Sequence, residues 1–321
     1  MPKNLLRDLY HKVWSKIDII SKNSHKNDCE SIFTNNLKYG SNPENKFDIF
    51  LPENIDQRAP AVILIHGGGY ISGNRLTTRT LCKQFADMGF VAFNFEYTKS
   101  DSMEAKYFPT PIYEFFEFYK YISTQTQFSK LIDFNNIYLF GDSSGAHIAT
   151  LIANIQTNDN LKFDFNLQGG PKIKGLILNC PSFGIYKFMG LFPKTQFQEV
   201  VFGDSISRDP LCEITHNLDV MTNRLPPILM FSVKGDFVVG VHKKMFLKKA
   251  RELNLSVEHY TISSGYHLFH SCLINNSRRY PKCIEKMKNF ITEGCKNNFV
   301  SNVCTERIYE DSEESDNLIQ F

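Results

Sequence analysis

The sequence predicts an α/β protein in which helices flank both faces of a mostly parallel sheet. Two observations support this prediction. From residue 61 onward, short apolar runs of strand character alternate with segments of helical period. The central runs are also apolar at almost every position, as strands buried on both faces are. The chain has 321 residues, of which 42% are hydrophobic, so it can bury a large core without disulfides or metals.

Composition and charge exclude several classes of protein. Lys and Arg number 36 against 34 Asp and Glu, a net charge of +2, whereas nucleic-acid binders usually carry a concentrated basic excess. The sequence contains no run of about 18 apolar residues that could span a membrane, and the charges among the first twenty residues do not fit a secretory leader. The eight cysteines form no CxxC pair and no Cys/His spacing typical of zinc sites. We therefore expect a cytoplasmic protein with no integral membrane segment and no nucleic-acid partner.

The first elements are predicted from apolar periodicity and proline positions. In residues 1–30, apolar side chains at three- and four-residue intervals predict an amphipathic helix followed by a polar link. Its polar face lacks the dense Lys and Arg of membrane-surface helices, which favours packing on the main domain. Residues 31–38 and 46–51 have strand character, and Pro43 and Pro52 bound the second strand.

Six further strands complete a predicted eight-stranded sheet, at residues 61–65, 90–95, 136–140, 173–178, 228–233 and 256–262. Helical spacing predicts the intervening and following helices at residues 77–88, 109–124, 144–155, 241–253 and 277–291. Gly89 ends the first of these helices. Pro109 and Pro111 open the second, because proline is tolerated in a first turn. The main domain is therefore predicted over residues 31–296.

Two segments interrupt or follow this alternation. Residues 180–224 are rich in Phe, Gly and Pro without a clear period, and a connection of this length usually shapes a binding site. We interpret this segment as a small cap. Residues 297–321 carry an acidic run, which predicts a solvated and disordered tail.

A candidate nucleophile lies in the pentapeptide of residues 141–145, Gly-Asp-Ser-Ser-Gly, between a predicted strand and a helix. This G-x-S-x-G context is typical of a tight strand-to-helix turn that presents its serine, here Ser143, above the sheet edge. Residues 202–205 repeat the letters Phe-Gly-Asp-Ser, but they lack the second glycine and a preceding strand. Ser205 is therefore a poor candidate.

A second motif, His66-Gly67-Gly68-Gly69, directly follows the strand predicted at residues 61–65. Consecutive glycines let backbone amides converge on a ligand, and in acyl transfer such amides hold the developing oxyanion. The alternative of a phosphate-binding loop is disfavoured, because neither a Walker Gly-Lys-Ser/Thr ending nor a G-x-G-x-x-G pattern is present.

A serine nucleophile needs a histidine base and an acid that orients it, in the chain order Ser, acid, His. Asp236 and His267 each follow a predicted strand, so both should emerge at the edge that carries Ser143. Asp204 and Asp209 lie in the cap, which favours Asp236 as the acid, and Asp219 is the alternative. His270 is the alternative base. The other histidines near the motifs compete less well, because they lie in the glycine loop, on the helix after Ser143, before the strand predicted at residues 256–262 or inside it: His66, His147, His216, His242 and His259.

At these residues the sequence resembles the α/β-hydrolase family over roughly residues 38–291. The glycine loop and the Gly-Asp-Ser-Ser-Gly turn resemble the lipolytic, hormone-sensitive-lipase-like branch. Residues 145–147, 39–40 and 48–52 are also similar to feruloyl-esterase-like and kynurenine-formamidase-like members. The resemblance implies a catalytic triad of Ser143, Asp236 and His267. It also implies an oxyanion hole formed by the backbone amides of Gly68, Gly69 and Ser144.

The sequence departs from the lipolytic branch at three positions. Ser144 stands where that branch commonly has alanine, which leaves the backbone amide in place. Residues 95–98, Phe-Glu-Tyr-Thr, keep the tyrosine but not the arginine of the branch's Asp-Tyr-Arg strand end, and Leu268 follows the candidate base where a glycine is frequent. These differences bear on the subfamily and leave the three candidate triad residues unchanged.

These residues predict a serine hydrolase, specifically a lipase-like carboxylesterase. We expect it to cleave small-molecule esters of short or medium acyl chain through an acyl-enzyme. We expect this reaction to need no metal and no organic cofactor. An amide or formamide hydrolase would use the same triad, and a catalytically silent ligand-binding protein could share the fold. The cap contributes the expected acyl pocket through several large apolar side chains, at Phe183, Phe188, Met189, Leu191, Phe192 and Phe197.

Overall fold

The computed structural model describes residues 33–100, 107–184, 188–189, 192–193, 201–203, 217–236, 239–263, 267, 281–296 and 304–309. The helix and link predicted for residues 1–30 lie outside these residues, as does most of the predicted cap. Among the helices of the described residues, none combines the length and apolar character needed to cross a membrane.

Within the described residues, nine strands form the main sheet. In chain order they are β1 (Phe33–Lys38), β2 (Lys46–Phe50), β3 (Ala59–Ile65), β4 (Val91–Phe95), β5 (Ile132–Asp142), β6 (Ile173–Asn179), β9 (Ile228–Val233), β10 (Val257–Ile262) and β11 (Cys304–Tyr309). Their spatial order is β1-β2-β4-β3-β5-β6-β9-β10-β11. The first two pairings, β1 with β2 and β2 with β4, are antiparallel, and all the others are parallel. The predicted α/β class with a mostly parallel sheet is confirmed. Two further strands of two residues each pair within the cap, β7 (Phe188–Met189) and β8 (Phe192–Pro193).

The ninth strand corrects the prediction of an eight-stranded sheet and of a wholly disordered tail. β11 runs parallel to β10 at the sheet edge, with Cys304 opposite Val257 and Tyr309 opposite Ile262. It belongs to the segment that the acidic composition assigned to disorder. The acidic residues dominate the composition, but the six residues of β11 include Thr305, Ile308 and Tyr309, whose side chains favour strands.

Helices cover both faces of the sheet, as predicted. In chain order they are α1 (Arg79–Asp87), α2 (Thr110–Thr124), α3 (Thr126–Ser129), α4 (Ser144–Thr157), α5 (Asp159–Asp164), α6 (Asn217–Val220), α7 (Gly240–Glu252) and α8 (Pro281–Cys295). The apolar side chains of α2, α4 and α7 join one buried cluster, and those of α1 and α8 join the other.

The strands divide their side chains between these two clusters by strict alternation. On β3, Ala61, Ile63 and Ile65 belong to the cluster with α4, whereas Val62 and Leu64 belong to the cluster with α1. Because β3 is buried on both faces, its sequence is a continuous apolar run. Phe183, which the sequence assigned to the expected acyl pocket of the cap, is instead fully buried and stacks on Phe246 of α7, with ring centroids 4.3 Å apart.

A buried histidine on β10 makes stability depend on pH. Burial lowers the pKa of His259 to about 4, and the positive charges of Lys243 and Arg251 add to this effect. The unfolded chain titrates near the ordinary value of about 6.5. Between these values the unfolded state binds more protons, so the free energy of unfolding falls as the pH decreases from about 6.5 towards 4.

We expect His259→Gln to remove much of this pH dependence. The glutamine oxygen can still accept a hydrogen bond from Ser232 Oγ, which lies 2.8 Å from His259 Nε2, but glutamine does not titrate. Urea unfolding at pH 7 and pH 4.5 measures the effect. The parent should lose about 2 kcal/mol more than the variant over this interval. Equal losses in both proteins would contradict the prediction.

Candidate active site

Ser143 stands at the sharp turn that joins β5 to α4. Its backbone has φ 52° and ψ −113°, a left-handed conformation that non-glycine residues adopt rarely. The turn is packed tightly against the neighbouring strand, since a Cβ on Gly145 would collide with the carbonyl oxygens of Ile65 and His66. Glycine at 145 therefore lets α4 begin directly above the end of β3.

Three hydrogen bonds hold this turn in place. The Ser143 N–H donates to Asn179 O at 3.0 Å, and the Ser182 N–H donates to Ser143 O at 3.1 Å. Asn179 Nδ2 also donates to Asp142 Oδ1 at 2.8 Å. The strained backbone of Ser143 is therefore fixed by residues at and just beyond the end of β6.

The two candidate partners of Ser143 form a continuous hydrogen-bonded chain with it. Ser143 Oγ lies 2.9 Å from His267 Nε2, and His267 Nδ1 lies 2.8 Å from Asp236 Oδ2. A carboxylate only accepts hydrogen bonds, so Nδ1 carries the proton in the neutral ring and Nε2 can accept from the serine. The arrangement has the geometry of a nucleophile, a base and an orienting acid.

Asp236 is oriented from a second side by its own loop. It follows β9 and Gly235, and its Oδ1 accepts the Val239 N–H at 3.1 Å just before α7 begins. This leaves Oδ2 directed at His267. The two side chains are almost buried, with 3% of Asp236 and 10% of His267 exposed, so solvent screens their interaction weakly.

The rival residues within the described part of the chain do not join this arrangement. Asp219 is exposed on α6. His242 lies on α7 and accepts the Phe183 N–H at its Nδ1, and His259 lies within β10. The other rivals, Ser205, Asp204, Asp209 and His270, lie outside the described residues.

The glycine loop after β3 packs directly on the serine turn. A Cβ on Gly67 would lie 2.8 Å from Asp142 O and 3.3 Å from Ser143 Cβ. Gly68 has φ +123°, and a side chain there would collide with the Ser72 carbonyl. The structure therefore brings Gly68, Gly69 and Ser144 to the side of Ser143.

One of the three candidate amides already has a partner. The Gly69 N–H donates to Ser144 Oγ at 2.9 Å. Ser144 differs from the alanine of the lipolytic branch in its side chain and leaves the backbone amide unchanged, but its hydroxyl accepts the hydrogen bond of the Gly69 N–H. The hydroxyl must therefore turn away before the Gly69 amide can face a ligand.

A family model, several relatives and several solved structures of other proteins match this chain. The family model of BD-FAE matches residues 47–250, which is more than half of the chain. The chain belongs to the BD-FAE family. The match contains Ser143 and Asp236 and ends before His267. It also confirms the predicted membership of the α/β-hydrolases, together with the solved structures described next.

Several relatives and structural neighbours of this chain are named as esterases. An isoprenylcysteine alpha-carbonyl methylesterase of Arabidopsis thaliana is 25% identical over 217 residues, which cover 63% of this chain and 48% of the relative. The chain thus spans about half the length of that relative. Esterase B of Lactobacillus rhamnosis, solved with a C6-C4 SN3 inhibitor, has a TM-score of 0.79, 18% identity and coverage of 91% and 97% of the two chains. A bacterial heroin esterase gives a TM-score of 0.65 at 18% identity, with coverage of 89% and 90%. At these identities the structures show the α/β-hydrolase fold.

The glycine loop of this BD-FAE protein rests on a buried charged group that sequence reasoning missed. His66 Nε2 lies 3.0 Å from Glu96 Oε1, and His66 Nδ1 lies 2.7 Å from Gly67 O. The ring also stacks on Tyr97, with centroids 4.3 Å apart, and the Tyr97 hydroxyl donates to His66 O. These contacts fix the residue from which the glycine loop starts.

Glu96 stays ionised in this position. Burial by itself raises the pKa of Glu96, but Lys99, His66 and the Arg75 amide outweigh it and hold the pKa well below its usual range. Lys99 Nζ lies 3.1 Å from Glu96 Oε1. The available signal was the segment Glu96-Tyr97-Thr98 directly after β4, in which Thr98 stands in place of the arginine of the Asp-Tyr-Arg strand end. Lys99 supplies a positive charge to the same carboxylate from three residues further along.

Sequence reasoning also missed a cluster of aromatic rings near Ser143. Tyr70 directly follows the glycine loop, and His147 lies one helical turn after Ser143 on α4. Their rings meet at right angles with centroids 5.6 Å apart. Phe108 contacts both, and Phe202 of the cap packs edge-on against Phe108 at 5.8 Å. The position of His147 in the helical repeat was the signal, since residues four apart share a helix face.

Proposed function

We propose that this chain is a serine hydrolase that cleaves carboxylic esters through an acyl-enzyme, with Ser143 as the nucleophile, His267 as the base and Asp236 as the orienting acid. The observation that carries the proposal is the unbroken hydrogen-bonded chain from Ser143 Oγ through the imidazole to Asp236 Oδ2. The esterase names of relatives and of structural neighbours support the same reaction class.

In the first half of the reaction, Ser143 Oγ attacks the ester carbonyl while His267 Nε2 takes the hydroxyl proton. The carbonyl oxygen becomes an oxyanion, which the amides of Gly68 and Ser144 stabilise, joined by the Gly69 amide when the Ser144 hydroxyl turns away. The tetrahedral intermediate then collapses. His267 gives its proton to the departing alkoxide, and the alcohol leaves the acyl group on Ser143.

In the second half, water replaces the serine hydroxyl as the attacking group. His267 takes a proton from the water, and the same amides stabilise the second oxyanion. Collapse of this intermediate breaks the acyl bond to Ser143, to which His267 returns the proton. Asp236 keeps the proton on Nδ1 and stabilises the imidazolium formed in each half.

The substrate class we propose is an ester with an apolar acyl part of short or medium length. The cluster of Tyr70, Phe108, His147 and Phe202 supports this, because its rings adjoin the glycine loop and the helix that begins at Ser144. The relatives named methylesterases point to a small leaving alcohol, and esterase B with its C6-C4 inhibitor points to a short acyl chain.

A series of p-nitrophenyl esters of increasing acyl length tests the substrate class. We expect kcat/KM to rise about fourfold with each added methylene, because burying one CH₂ contributes about 0.8 kcal/mol, and then to fall once the pocket is full. Phe108→Ala should move the maximum to longer chains. The matched control is Phe163→Ala, since Phe163 is 84% exposed on α5, and it should leave the maximum in place.

Two results of this series would contradict the proposed substrate class. A kcat/KM that does not change with acyl length would contradict a finite apolar acyl pocket. Faster cleavage of N-formyl or aryl amides than of every alkyl ester would assign the same triad to the amide or formamide hydrolase alternative.

A further inference from the structure

Three side chains of metal-binding type converge at the ends of three neighbouring strands. Cys180 directly follows β6, Asp236 follows β9 and His267 follows β10. The thiol sulfur, a carboxylate oxygen and a ring nitrogen of these residues all lie within 4.8 Å of one another. Cys180 takes no part in the proposed reaction, so its position beside the candidate base and acid calls for a separate explanation.

The chemistry of this set matches a thiophilic divalent cation. Zn²⁺ binds thiolate, imidazole and carboxylate ligands at about 2.0 to 2.3 Å, in tetrahedral geometry. Ligand atoms around such an ion are roughly 3.5 Å apart. Small movements of these three side chains would therefore bring their ligand atoms to binding distance of one metal ion. Cys180 is fully buried, and the side chains of Asp236 and His267 are 3% and 10% exposed, so the ion would enter from the side of His267, the most exposed of the three.

We propose that Zn²⁺, or Cd²⁺ in its place, binds Cys180 Sγ, Asp236 and His267 Nδ1 and holds the enzyme inactive. The inhibitory part of this proposal rests on the proposed function, whereas the metal site itself does not. On binding, the Cys180 thiol releases its proton to solvent and the sulfur becomes a thiolate ligand. The proton on His267 Nδ1 moves to Nε2, and the metal takes its place between the ring and Asp236.

Inhibition follows from this change of tautomer. With the metal on Nδ1, the ring carries its proton on Nε2, the atom that must accept the Ser143 proton. The base is therefore blocked without any change to the serine itself. Removal of the metal by a chelator lets Nδ1 take up a proton again and restores the hydrogen bond to Asp236.

Cadmium titration of the full chain tests the metal site directly. In chelator-free buffer, we expect one equivalent of Cd²⁺ to produce the ultraviolet charge-transfer band of a cadmium thiolate. Cys180→Ala should lose the band. The matched control is Cys295→Ala on α8, another cysteine with a thiol, which should keep it. Cys180→Ser, whose hydroxyl is nearly the same size, guards against a loss caused by misfolding and should also lose the band.

The link to activity is tested with Zn²⁺ and the same variants, each measured against its own metal-free rate. The parent and Cys295→Ala should be inhibited and should recover with EDTA. Half-inhibition of Cys180→Ser should need at least about tenfold more Zn²⁺, since each 1.4 kcal/mol of lost affinity is a factor of ten. Inhibition unaltered by Cys180→Ser would overturn the inhibitory role.

Failure of the metal site and failure of the proposed reaction give different results. Ser143→Ala keeps all three proposed ligands, so it should bind Cd²⁺ like the parent whether or not the parent hydrolyses esters. A parent without the band, or a band of equal strength in Cys180→Ser, would overturn the metal site. Neither result would bear on ester hydrolysis by Ser143.

Discussion

Ser143→Ala should lower kcat for ester hydrolysis by a factor on the order of 10⁶, because loss of the nucleophile of such a triad removes the covalent route. The alanine keeps the backbone amides of the oxyanion hole and removes one hydroxyl. Its left-handed φ is no more strained than that of serine, so the thermal midpoint should stay close to that of the parent. Initial rates with a short-chain p-nitrophenyl ester and a thermal melt measure the two quantities.

A fluorophosphonate probe provides the control for this prediction. The parent should be labelled at Ser143, as peptide mass spectrometry would show, and Ser143→Ala should remain unlabelled. A parent that neither labels nor turns over would assign the fold to the catalytically silent alternative. Comparable turnover in parent and variant, or labelling at Ser205, would contradict the choice of nucleophile.

Asp236→Asn should lower kcat by about 10⁴. The asparagine oxygen can still accept the Val239 N–H that Asp236 Oδ1 accepts at 3.1 Å, so the loop should keep its form. Its amide group would then donate towards His267 Nδ1, which favours the tautomer with the proton on Nε2. That ring cannot accept the proton of Ser143. Steady-state kinetics with the same ester measure the loss.

Asp219→Asn is the matched control for this prediction. It makes the same chemical change at an exposed position on α6, and it should leave kcat unchanged. A larger loss in Asp219→Asn than in Asp236→Asn would reverse the assignment of the acid. Similar losses in both variants would indicate that the effect comes from charge rather than from the orientation of His267.

The strand and helix pattern of the central domain followed from the sequence with boundary errors of a few residues. β9 was predicted at residues 228–233 and is Ile228–Val233, and α4 was predicted at residues 144–155 and is Ser144–Thr157. β5 was predicted to begin at residue 136 and begins at Ile132. The polar residues Asp133, Asn135 and Asn136 hid its start, because they break the continuous apolar run that predicts a buried strand.

The local signals were misleading where composition and packing disagree. Acidic composition predicted disorder for residues 297–321, yet the edge of β10 pairs with β11. Aromatic content predicted a pocket wall at Phe183, which instead stacks on Phe246. In both cases the composition of the segment does not reveal its position. The neighbouring element against which it packs, β10 in the first case and α7 in the second, determines that position.

The sequence by itself determined the α/β class, the turn at Ser143 and the order of the candidate serine, acid and histidine. These features depend on short-range requirements: apolar periodicity, glycine where backbones approach closely, and side chains placed just beyond strand ends. Only the tertiary structure decided that Ser144 Oγ occupies the Gly69 amide, that Glu96 holds His66, and that Cys180 meets Asp236 and His267. Each of these contacts joins residues at least 30 positions apart. The order β6-β9-β10 and the pairing of β3 with β4 and β5 bring them together, and no local pattern encodes which strands become neighbours.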